Sequence, residues 1–132
     1  MSGGWADGIV ANTLFVRDLA AAKTFYRAAF ESEPIFEDPN SVVFRLGGTM
    51  VNLLHESAVP ELVGPAVQAG PEAGVRLVFT VGVADVDARV AALAAAGIAL
   101  LNGPMDRPWG PRTASFQDLD GYVWEIASEQ KG

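Results

Sequence analysis

At 132 residues, half of them apolar, the chain has material for one compact domain or for two small similar halves that share a core, and it is not disordered in composition. It has no cysteine, which excludes disulfides and thiolate metal sites. Nine Lys and Arg against sixteen Asp and Glu give a net charge of −7, a field that repels phosphate backbones and argues against a nucleic-acid partner.

Residues 1–8 have neither a basic leader nor a long apolar core, so they read as a loosely packed arm on a cytoplasmic protein, with Trp5 placed to cover a dimer partner. No apolar run reaches the length of a membrane span. Residues 9–16 alternate as a strand, with Ala11, Thr13 and Phe15 on one face and Asn12, Leu14 and Val16 on the other. Asp18 is the N-cap of a helix from Leu19 to about Phe30, whose buried stripe is Ala22, Phe25, Tyr26, Ala29 and Phe30. Three short strands follow, over residues 34–37, 41–46 and 49–55, joined by turn signals at Asp38-Pro-Asn40 and Gly47-Gly48. Residues 9–56 are therefore one β-α-β-β-β module.

Residues 57–74, rich in Pro and Gly, read as a linker. The second module spans residues 75–128 and repeats the order. It has a strand over residues 75–81, with Arg76, Val78 and Thr80 on one face, and a helix capped by Asp85 and closed by Gly97. A strand over 98–102, a loop over 103–111 and a closing hairpin from Arg112 to Ala127 complete it. In the last strand Tyr122, Trp124 and Ile126 form a bulky apolar face, while Glu125 lies between Val123 and Ala127 on the other. A carboxylate so placed needs a metal, a cationic partner, a ligand or water.

The modules are internal repeats: the segment from Phe44 to Glu56 lies over that from Phe116 to Ser128 with one extra turn residue, which puts Asn52 at the place of Glu125. Each copy is too small to bury its sheet alone, and two side by side can curl their sheets around a shared cavity. The expected class is α+β, two βαβββ modules with sheets cupped around that cavity.

The runs Val16-Arg-Asp-Leu-Ala-Ala-Ala-Lys-Thr-Phe-Tyr26, Asp85-Val-Asp-Ala88 and Asp118-Leu-Asp-Gly-Tyr-Val-Trp-Glu125 resemble the vicinal-oxygen-chelate superfamily, which includes glyoxalase I, extradiol dioxygenases and bleomycin-resistance proteins. The resemblance covers residues 9–127 and implies paired βαβββ modules, usually dimeric, with a site in each cupped sheet. In metal-using members the ligands come from the first and last strands of each module. Carried over, those places are Ala11, Asn52, Arg76 (or Val78 if the junction shifts by two) and Glu125. Only Glu125 is a good ligand for a divalent ion, so the metal site of the family looks broken here. An Arg76–Glu125 ion pair could replace it. The alternative is an Arg76 that reaches the rim and a Glu125 that binds water.

His55, the one histidine, falls on the face opposite Asn52 and reads as structural or solvent-facing. The loop Met105-Asp-Arg-Pro-Trp-Gly-Pro-Arg112 sets an indole beside guanidinium groups, which suits a pocket mouth, although Trp109 could equally plug the end of the cavity. The residues expected to touch a ligand are Phe15, Phe36, Asn52, Arg76, Trp109, Arg112 and Glu125. No catalytic residue, metal ligand or cofactor is assigned. The expected function is metal-free binding of a small aromatic or cationic molecule, such as an antibiotic, by a cytoplasmic homodimer. The alternatives are a glyoxalase-type lyase, isomerase or dioxygenase with a divalent metal at Glu125, and a structural or regulatory dimer with a vestigial cup.

Overall fold

A computed structural model describes residues 4–6 and 8–128. It divides into two compact units: the first holds the residues up to Arg27 and Glu31–Gln68, the second holds Ala28–Phe30 and the residues from Ala69 onward. Of the arm, Trp5 is 94% exposed. Residues 1–3 and 7, where the rest of that expectation falls, lie outside the described residues.

In the first unit the sheet order is β1 (Ala11–Val16), β4 (Thr49–His55), β3 (Ser41–Leu46), β2 (Phe36–Asp38). β1 runs parallel to β4 and the other pairs are antiparallel. Helix α1 (Leu19–Phe30) starts where Asp18 accepts from the backbone N–H of Ala21 at 2.9 Å, as its position before the apolar stripe predicts. Alternation decides what is buried. Leu14, Val16, Val42, Phe44, Val51 and Leu53 are all 3% exposed or less, and Tyr26 of α1 packs its ring 6.2 Å from that of Phe44. The β2–β3 turn is tied by Asp38, which accepts from the backbone N–H groups of Asn40 and Ser41 and from the Ser41 hydroxyl. The Asn40 N–H and then the Ser41 hydroxyl hold its carboxyl below the usual aspartate range. This contribution to stability is present above the ordinary value and is lost as the pH falls through the lowered one.

The expected linker is more ordered than its composition indicates. It contains a 3-10 turn at Glu56–Ala58, helix α2 (Val59–Val63) and another 3-10 turn at Pro71–Ala73. Val59 is 1% exposed, so apolar burial fixes a segment that carries too little periodicity to be read as a helix. His55 caps the first turn, its Nδ1 accepting from the backbone N–H of Ser57 at 3.1 Å.

In the second unit the order is β5 (Val78–Gly82), β8 (Val123–Ser128), β7 (Arg112–Gln117), β6 (Leu100–Asp106), with α3 (Val86–Ala95) after β5. Trp124 is core. Its ring stacks on Phe79 at 4.6 Å and meets the edge of Phe30 at 4.9 Å. Gly97, at φ +82°, closes α3, and Ile98 donates back to the Leu93 carbonyl at 2.9 Å. Among the described residues no helix is long and apolar enough to cross a membrane.

Several strand boundaries differ from the sequence reading: β1 begins at Ala11 rather than Ile9, β2 spans Phe36–Asp38 rather than 34–37, β6 begins at Leu100 rather than Ile98, and two further differences have a clear cause. β5 begins at Val78 rather than Val75, because its partner β8 begins at Val123 and residues before it have only the hairpin turn alongside. β6 continues through Gly103-Pro104 to Asp106, where a loop was expected. It does so by register shifts on the edge strand, the one place where a ladder tolerates Pro. Gly103, at φ +88°, lies so close to β7 that a Cβ would sit 2.6 Å from the Thr113 carbonyl oxygen.

The β7–β8 turn is held from inside. Asp118, 7% exposed, accepts through Oδ1 from the backbone N–H groups of Asp120 at 2.9 Å and Tyr122 at 2.8 Å. Asp118→Ala leaves both donors unsatisfied and should cost about 1–3 kcal/mol of unfolding free energy in urea denaturation. Asp118→Asn keeps an acceptor oxygen and should cost clearly less.

Candidate functional site

Each sheet packs one face against helix and leaves the other without a helix of its own unit, and the polar side chains of interest lie on that second face. In the first unit, cross-strand partners set Thr13, Asn52, Val43 and Phe36 in one row. Asn52 Nδ2 donates to Thr13 Oγ1 at 3.5 Å, and Asn52 Oδ1 is buried without a hydrogen-bond partner among the described residues. Phe15, two residues beyond Thr13, and Phe36, 53% exposed, share this face. The structure therefore gathers three of the expected ligand residues, Phe15, Phe36 and Asn52, on one surface.

In the second unit the matching row is Thr80, Glu125, Ser115 and Asn102. Thr80 Oγ1 donates to Glu125 Oε1 at 2.9 Å. Thr113 precedes Ser115 by two residues on β7 and lies on the same face. There Arg107 donates from Nε to Thr113 Oγ1 at 2.8 Å and from Nη2 to Asn102 Oδ1 at 3.4 Å. Its guanidinium carbon is 5.4 Å from the centre of the Trp109 ring, whose residue is 69% exposed. Thr80, Asn102, Arg107 and Thr113 were not among the expected site residues. Strand parity places Thr80 with Arg76 and Val78, and a parallel β5–β8 pair would have set it beside Glu125. Thr113 follows from parity with Ser115 on β7, while the places of Asn102 and Arg107 depend on the irregular register of β6.

Two expected residues are elsewhere. Arg76 does not pair with Glu125. It precedes β5, donates from Nη1 to the Ala69 carbonyl at 3.1 Å and from Nη2 to the Asp120 carbonyl, and lies 4.2 Å over the Tyr122 ring. The hairpin turn offers it the Asp120 carbonyl and the Tyr122 ring, Ala69 offers a second carbonyl, and the strand on which it would have met Glu125 has not begun. Arg112 points to the helix side, where it bonds Asp87 of α3 at 3.0 Å and Asp106 at 3.1 Å. Asp87 first, and then Asp106, raise its pKa.

Register also settles which residues are equivalent in the two copies. Ala11 pairs with Met50, two residues before Asn52, and Val78 pairs with Val123, two before Glu125. Val78, not Arg76, is thus the counterpart of Ala11. The positions that supply metal ligands in the resembled family hold Ala11, Asn52, Val78 and Glu125, two of which have no donor atom in the side chain. Among the described residues no three His, Cys, Asp or Glu side chains gather to hold an ion. This donor set does not fit a divalent metal.

Residues 8–126 match the model of the Glyoxalase/Bleomycin resistance protein/Dioxygenase superfamily. Among solved structures, the chain is similar to a glyoxalase-related enzyme from Fulvimarina pelagi, at 26% identity and TM-score 0.80, over 94% of this chain and 89% of that one. It is similar to a glyoxalase/bleomycin resistance protein/dioxygenase from Nocardioides, at 25% identity and TM-score 0.85, over 98% and 88%. It shares its fold with a lactoylglutathione lyase from Agrobacterium tumefaciens, at 24% identity and TM-score 0.76, over 93% and 94%. No curated protein matches the chain.

The separation of Arg76 from Glu125 has a measurable consequence. Arg76→Leu removes two bonds to carbonyls and a cation–ring contact, and should destabilise by about 1–3 kcal/mol. Adding Glu125→Leu should give no recovery, with a coupling in the double-mutant cycle under about 0.5 kcal/mol, as for independent sites. A larger favourable coupling would restore the ion pair.

Proposed function

The chain belongs to the Glyoxalase/Bleomycin resistance protein/Dioxygenase superfamily, and from that premise we propose that it binds a small organic molecule, aromatic or cationic, without a metal ion. The observation that carries this reading is the donor set at the four strand positions: one carboxylate, one amide and two aliphatic side chains. A divalent ion held by Glu125 alone would keep most of its ligand sphere as water and would gain little from the protein. The same surfaces suit capture. Glu125 has no cationic partner among the described residues, Asn52 Oδ1 has no donor, and Phe15, Phe36 and Trp109 offer apolar area around them. Sequestration of an antibiotic or another natural product is one concrete form of this function, because it requires no nucleophile or acid–base pair.

The proposal includes a cytoplasmic homodimer. Its support is the apolar surface beside the edge strands, where Ile9 and Val10 next to β1 are each 69% exposed and Val75 and Leu77 next to β5 are at least half exposed. Surfaces of this kind are usually covered. Sedimentation equilibrium at micromolar concentration should give twice the mass of one chain, and a monomer would remove this part of the reading.

Elemental analysis of protein purified without chelator tests the metal-free reading. Zn, Fe, Mn and Ni should all be far below stoichiometric. Stoichiometric metal that is lost in Glu125→Gln would overturn the proposal in favour of a glyoxalase-type lyase, isomerase or dioxygenase.

A further inference from the structure

The open face of the second unit's sheet carries charges of both signs, and each is oriented by neutral groups. Glu125 Oε1 takes its hydrogen bond from the Thr80 hydroxyl. The Arg107 guanidinium is fixed by the Thr113 hydroxyl and the Asn102 amide oxygen. Neutral partners set the direction of a charged group without cancelling its charge. The treatment of Arg112 is the opposite, since two carboxylates close on it. Lys23 and Arg27 likewise end on glutamates. Arg107 meets no carboxylate among the described residues, and unlike Arg76, which is spent on two backbone carbonyls and the Tyr122 ring, it lies on the face of Glu125.

Geometry keeps the two charges from neutralising each other. Glu125 is on β8, and its row continues through Ser115 on β7 to Asn102 on β6, where Arg107 is anchored. Arg107 follows β6 and is anchored on Thr113 of β7, whose partner on β8 is Ala127, two residues beyond Glu125; one strand spacing across and two residues along put that anchor about 8 Å from Glu125. Thr113 is 1% exposed and Ser115 6%, so the floor between the charges is a buried pair of hydroxyl-bearing residues. Arg107 has spent Nε and one Nη2 hydrogen, and the Nη1 side of its fork remains for an anion. Trp109 beside it supplies an exposed indole wall.

We propose that this face binds a small zwitterion with its charges at opposite ends, its ammonium group on Glu125 and its carboxylate or similar anion on Arg107. ω-Amino acids and short peptides have this form, whereas an α-amino acid holds its charges too close together to reach both groups. The inference rests on the metal-free binding reading and names the ligand class for the second unit. Preorganised partners of both signs favour such a ligand over either single ion, because each charged end meets a group whose orientation is already set.

The test is a titration of the full chain, followed by amide chemical shifts, with 6-aminohexanoate, hexylamine and hexanoate, together with ω-amino acids of shorter and longer chain. The zwitterion should bind about tenfold or more tighter than either control, the gain expected from one added charge-assisted contact. Affinity should peak at one chain length and be weak for glycine. Arg107→Gln should bring 6-aminohexanoate down to the level of hexylamine and leave hexylamine unchanged. Glu125→Gln should bring it down to the level of hexanoate. Arg107→Lys, which keeps the charge, should retain part of the preference and guards against a folding defect in the glutamine variant. Equal affinities for 6-aminohexanoate and hexylamine, or a zwitterion preference that survives Arg107→Gln, would overturn the inference. Hexylamine bound through Glu125 without any zwitterion gain would sink the inference alone and leave the binding reading standing. No binding by any probe, together with stoichiometric metal, would sink both.

Discussion

The second unit depends on the buried carboxylate of Asp118. By accepting from the backbone of Asp120 and Tyr122 it fixes the length of the β7–β8 turn, and turn length sets register. In that register Ser115 faces Glu125 and Phe116 faces Trp124. A slip of one residue would carry Trp124, now 2% exposed, to the open face and push Glu125 into the core. The same turn presents the Asp120 carbonyl and the Tyr122 ring to Arg76, which ties the segment before β5 to the hairpin. One side chain thus governs the core, the open face and the approach of the neighbouring strand.

The fate of the arginines shows how local geometry overrides charge complementarity. Arg76 has backbone carbonyls and an aromatic face at hand, and these engage Nη1, Nη2 and the guanidinium plane while Nε stays buried without a partner among the described residues. Arg112 is drawn to the helix side by Asp87 and Asp106. Arg107 alone of these three lies on the face of Glu125, held by Thr113 and Asn102. Sequence neighbourhood alone therefore does not separate the arginines held by carbonyls or carboxylates from the one held by neutral side chains on the face of Glu125.

The two units carry the same device at the same register, a threonine on the first strand hydrogen-bonded to the polar side chain opposite it on the last. Thr13 accepts from Asn52 in one, and Thr80 donates to Glu125 in the other. The pair recurs at the same register with a different charge. The first unit offers a neutral amide among aromatic residues, and the second offers opposite charges along a polar row. The two open faces of the repeat therefore present different polar groups at the same register.

Much of the fold was legible in the sequence, because its signals are local. Asp18 and Asp85 mark helix starts by capping, and alternation marks the buried faces of β1, β3, β4 and β8. The repeat of β-α-β-β-β order follows from those elements alone. The place of Glu125 on the open face, and the poverty of the metal-ligand positions, were also readable, since both depend only on parity and residue chemistry. Pairing decided the rest. Where β5 begins is set by the start of β8, and the course of β6 past Gly103 is set by its fit against Thr113 and Ala114. Arg76 and Arg112 each take one partner distant in sequence, Asp120 and Asp87, Arg107 takes its partners from the two strands that flank its turn, and long side chains of equal charge carry no mark of which they will meet. The composition and spacing of residues determined the elements and their faces. Which charges share a face, and which are consumed by the scaffold, was decided only by tertiary contact.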